Sequence, residues 1–112
     1  MKLAVIFLNQ IEYLEELLSV FLEIGVTGAS IVDTVGMGHI ISEHIPIFAG
    51  LRGAFAGSSP NNKMIIAVIR DEVIASMQEA INDICNSIED EKNSFMLTLP
   101  IDSLFGLTIP ED

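Results

Sequence analysis

Lys2-Leu3-Ala4-Val5-Ile6-Phe7-Leu8-Asn9 is the stretch on which the fold turns. Its six apolar residues leave no polar side, and the run is too short for an ordinary helix. It reads as a strand buried on both faces. The pattern recurs once: Lys63 opens Met64-Ile65-Ile66-Ala67-Val68-Ile69. Two strands of this kind belong in the middle of a sheet.

A helical signature follows each of them. Asn9 with Glu12 three residues on reads as a capping box. Ile11, Leu14, Leu18 and Phe21 then recur at helical spacing, and Gly25 stands where a helix stops. After the second strand, Asp71 and Glu72 favour a helix start. Ile74, Met77, Ile81, Ile84 and Ile88 form the cleanest stripe in the chain, and that helix is expected to fade between Asn86 and Asp90. Residues 29–35 and 94–101 read as two more polar strands. Pro100 puts the end of the last one at a sheet edge, because proline cannot donate to a ladder.

The order strand-helix-strand, long loop, strand-helix-strand predicts a single α+β domain over residues 1–112. The expected architecture is a ferredoxin-like βαββαβ sandwich. Its four-stranded antiparallel sheet has the spatial order 4-1-3-2, and both helices cover one face. The central strands are apolar on both faces, so the other face needs a cover. A homo-oligomer packed sheet face against sheet face supplies it. The mean hydropathy of +0.53 is high for a soluble monomer and points the same way.

Charge excludes several roles. There are 16 acids and 5 bases, a net of -11. Residues 71–112 hold ten acids and one base, a net of -9; residues 1–70 hold six and four, a net of -2. Five scattered cations make no nucleic-acid face, and an anionic membrane would repel the chain. No apolar stretch is long enough to span a bilayer. The apolar run at residues 3–8 is too short for the core of a signal peptide. The lone Cys85 allows no intrachain disulfide and fits a reducing cytoplasm. It has no basic neighbour in sequence, which suits an inert buried thiol. The acids along both helices read as solvated faces. No serine sits in a nucleophile elbow and no histidine–carboxylate constellation is evident, so an enzyme is not expected.

Residues 36–62 carry five glycines and two prolines, too many and too long for a plain connector. With Gly25-Val26-Thr27-Gly28 after the first helix and Val35-Gly36-Met37-Gly38 before this segment, the chain resembles the PII signalling family over residues 1–101. Lys63 to Glu72 resembles that family's third strand and acidic helix start. The resemblance implies a homotrimer that binds adenine nucleotides between subunits. It also implies that residues 36–62 act as the T-loop, docking on a protein target such as a membrane transporter or an enzyme, in the regulation of nitrogen utilisation or transport. It places ligand contacts at Thr27, Gly36, Met37, Gly38, His39 and Lys63. Where the family keeps a glycine- and lysine-rich phosphate cradle, this chain reads Ser87-Ile88-Glu89-Asp90-Glu91-Lys92-Asn93. Three carboxylates there repel a triphosphate. The arginines that the family carries beyond strand 4 are also missing from Asp102 to Gly106. A nucleoside, a less charged nucleotide or a cation suits the site better than ATP.

Each of these positions also has a plainer reading. Gly36-Met37-Gly38 lets a ligand approach the backbone, or simply ends a strand. Thr27 contacts a base, or satisfies the backbone after the helix. His39 and His44, with Glu43 beside the latter, could hold a transition metal, as in a CutA-type metal-tolerance trimer of the same fold, or be solvated loop residues. Phe48, Leu51 and Phe55 stand at i, i+3 and i+7 with Arg52 alongside. That face either docks on a target or folds back on its own subunit.

Overall fold

The computed structural model describes residues 1–37, 40, 62–86 and 94–108. Among the described residues four strands and two α-helices follow one another: β1 (Lys2–Leu8), α1 (Leu14–Ile24), β2 (Ser30–Thr34), β3 (Asn62–Ile69), α2 (Ile74–Cys85) and β4 (Phe95–Pro100). They form one antiparallel sheet in the order β2-β3-β1-β4. This is the expected ferredoxin-like α+β arrangement, with the two continuously apolar strands in the centre and β4 at an edge ending on Pro100.

Register sorts the side chains into two faces. Ala4, Ile6 and Leu8 of β1 lie opposite Ala67, Ile65 and Lys63 of β3. Both helices pack on this side. Leu17 and Phe21 of α1, with Met77, Ala80, Ile81 and Cys85 of α2, join Ala4, Ile6, Leu8, Ile65, Ala67 and Ile69 in one core. The alternate residues Leu3, Val5 and Phe7 face the other way, level with Val68, Ile66 and Met64. Leu99, Leu97 and Phe95 of β4 extend that row, and Val32 of β2 adds to it beside Met64.

The helix ends correct the sequence reading in detail. Asn9 does not cap α1. A 3-10 turn at Ile11–Tyr13 comes first, closed by the Tyr13 N–H on the Gln10 carbonyl at 3.0 Å, and α1 starts without a side-chain cap. That extra turn rotates the stripe, so Leu17 rather than Ile11 is fully buried. A second 3-10 turn at Asp71–Val73 precedes α2. Its buried edge takes in Ala80 and Cys85 as well as Met77 and Ile81.

Gly25 ends α1 as expected. Its φ of 115° is open to glycine and strained for other residues. Its N–H donates to Leu22 at 3.2 Å, and the Val26 N–H donates to Phe21 at 2.9 Å. These are the two bonds of a Schellman motif, and the buried Val26 supplies its apolar contact. α2 runs to Cys85, beside the stretch where it was expected to fade, and the Asn86 N–H still donates to the Asn82 carbonyl at 3.2 Å.

Candidate functional site

The two ends of the sheet carry different chemistry. At one end, the turn after α1 meets the end of β3 and the start of α2. Residues 24–28, Val68 to Arg70, Glu72, Val73, Leu107 and Thr108 enclose a cleft of about 190 Å³. Its floor is aliphatic. Thr27, Arg70, Glu72 and Thr108 supply its polar groups. Thr27 is exposed, so its hydroxyl is accessible. The sequence reading placed Thr27 at a site but missed Arg70, Glu72, Leu107 and Thr108, which lie 43 or more positions away along the chain.

At the other end lies the root of the long segment. Lys63 pairs across the strands with the Asp33 carboxylate. The Thr34 hydroxyl donates to the Asn62 carbonyl at 3.3 Å. Asn62 Oδ1 is buried with no partner among the described residues, an acceptor that wants a donor. Beyond Thr34, the Ile40 N–H donates to the Gly36 carbonyl at 3.2 Å. Met37 is largely exposed.

Gly38, His39, Glu43 and His44 lie outside the described residues, as do Phe48, Leu51, Arg52 and Phe55. Among the described residues no group of three or more histidine, cysteine or acidic side chains could hold a metal. Among them too, no helix is long and apolar enough to cross a membrane.

Thr27 and Gly36 therefore stand beyond opposite ends of β2. A five-residue strand spans roughly 17 Å. Within one protomer the structure brings Gly36, Met37 and Lys63 to one end and leaves Thr27 at the other.

A buried polar cluster reinforces the root end. The Ser94 hydroxyl donates to Gln10 Oε1 at 2.6 Å and accepts the Asn9 N–H at 3.1 Å. The Asn86 side chain grips the Ser94 backbone twice, its Nδ2 donating to the carbonyl at 2.9 Å and its Oδ1 accepting the N–H at 3.0 Å. One serine thus ties the exit of β1 to the end of α2 and the start of β4. The sequence holds no signal for it, since Ser94 and Gln10 are 84 positions apart. Cys85 is buried beside this cluster, in line with the inert thiol expected. Burial pushes its thiol above the ordinary value. The Ser94 hydrogen bond works against that shift, and the Glu16 and Glu12 carboxylates add to it.

The acids of both helices (Glu12, Glu15, Glu16, Glu23, Glu79 and Asp83) are exposed. No charged residue stands among the open-face positions of the four strands, whereas the opposite side of the molecule is acidic. Phe7 and Phe95 stack on that open face with centroids 4.9 Å apart. No family model matches the chain, and no curated protein matches it either.

Proposed function

We propose that this chain is a regulatory protein of the PII type rather than an enzyme. It assembles as a homotrimer, binds a small effector between subunits, and reports that effector through residues 36–62 to a protein target such as a transporter or an enzyme. The carrying observation is the separation of Thr27 from Gly36 and Lys63 along β2, on a sheet whose other face carries no charge and is left partly open by the described residues. Two copies packed through that face are a way to bring the two half-sites together. The chemistry of the cleft supports a ligand with an aliphatic-compatible ring and few charges, such as a nucleoside or a mononucleotide. The carboxylates of Glu89, Asp90 and Glu91 weigh against ATP. The buried lone cysteine suits a reducing cytoplasm.

Effector binding that orders residues 36–62 changes their affinity for the target. Titration calorimetry with ATP, ADP, AMP and cyclic mononucleotides tests the ligand class. Binding of AMP or a cyclic mononucleotide at lower concentration than ATP is the expected result. Micromolar ATP binding would overturn the lost phosphate cradle. Light scattering tests the assembly, and a mass of one chain at all concentrations would sink it.

A further inference from the structure

Arg70 and Glu72 both line the cleft, two positions apart, while Asp71 between them does not. Asp71 is paired instead with the Met1 amino group at 3.2 Å. The Val73 N–H donates to the Arg70 carbonyl at 3.2 Å and closes the 3-10 turn at Asp71–Val73 that carries Glu72. One turn of backbone therefore fixes where both charges are rooted. Among the described lining residues they are the only charged ones. The cleft thus offers one cation and one carboxylate, on a chain of net -11. The hydroxyls of Thr27 and Thr108 and an aliphatic floor complete it.

We propose that this cleft takes an unphosphorylated ribonucleoside and that Glu72 is the residue that selects it. The inference rests on the low-charge effector reading above and narrows it to one class. An arginine alone would favour a phosphate. A carboxylate two positions on opposes that preference, and a dianionic phosphate meets both Glu72 and the field of the acidic chain. A neutral ligand meets neither penalty. A carboxylate only accepts, through two oxygens, so its complement is a pair of adjacent hydroxyls such as a ribose carries. A guanidinium only donates, so its complement is a ring with acceptor atoms, on which its plane can also stack. The aliphatic floor then covers the apolar face of that ring.

Titration calorimetry on the full chain compares adenosine, guanosine, cytidine and uridine with their 2′-deoxy forms and their 5′-monophosphates, in wild type and in Glu72→Gln. At least one ribonucleoside should bind wild type about tenfold more tightly than both its deoxy form and its monophosphate. In Glu72→Gln both margins should shrink to about twofold or less. Glu72 is exposed, so the substitution leaves the fold intact. A deoxy margin that persists in Glu72→Gln puts the hydroxyl contact elsewhere and overturns the role of Glu72. A monophosphate that binds wild type as tightly as its nucleoside overturns the inference and leaves the low-charge effector standing. Micromolar ATP binding, or no binding of any nucleoside or nucleotide, overturns both.

Discussion

The two faces of the sheet are built from the same strands, yet they answer to different constraints. On the helix side Ala4, Ile6, Leu8, Ile65, Ala67 and Ile69 are closed off from solvent by α1 and α2. On the other side Leu3, Val5 and Phe7 are only partly covered, and Phe95, Leu97 and Leu99 are exposed. Residue chemistry hardly differs between the two. Both are apolar, and what differs is whether the described residues supply the cover. An alternating strand in a monomer puts polar residues on its open side. Here that alternation is missing from β1 and β3, and the described residues leave the second face partly open.

The sharpest way to separate the faces is to cut into each and compare. Phe21→Ala on the helix side should cost about 3–5 kcal/mol in urea denaturation, since the ring is fully buried and the cavity cannot collapse. Ser94→Ala attacks the polar rivet that holds the helix layer at the root end. It removes the hydroxyl that Gln10 Oε1 and the Asn9 N–H share, and should cost about 1–3 kcal/mol by the same measurement. Gly25→Ala loosens the α1 exit that Val26 seals, at roughly 1–2 kcal/mol, because the left-handed backbone is strained for alanine.

Cys85 gives a pH handle on the same layer. Its thiol is held above the ordinary value, so its contribution to stability is complete at neutral pH. That contribution is lost as the pH climbs above about 9, where the unfolded thiol ionises and the buried one resists. Denaturation midpoints between pH 7 and 10 should fall less steeply in Cys85→Ala than in wild type.

Leu97→Asp on the open face should change the stability of an isolated protomer least, by about 0.5 kcal/mol, since the side chain is already exposed. In light scattering the same variant should reduce the proposed assembly to single chains. A variant that unfolds instead would mean that the open face is not independent of the core.

The strands and their order were legible because burial on both faces leaves an unbroken apolar run, as in residues 3–8 and 64–69. The glycine stop at Gly25 was legible for an equally local reason. The capping of α1 was not. Asn9 has the right chemistry, but its N–H is spent on Ser94, and the 3-10 turn takes over the start of the helix. The candidate site was legible only where it is contiguous, at Thr27 and at Gly36-Met37. Arg70, Glu72 and Thr108 reach the cleft through β3 pairing and the course of the C-terminal segment, which no local pattern announces.

The double grip of Asn86 on the Ser94 backbone has a consequence for how this chain can be altered. It works as a buckle whose two halves are eight positions apart and fixed to α2 and β4. The two ends of the intervening segment are joined by this pair of bonds. Lengthening a closed loop is cheap, about 0.6 kcal/mol for each doubling. An insertion between positions 86 and 94 therefore starts from ends that are already joined, and its cost is set by that loop-closure term.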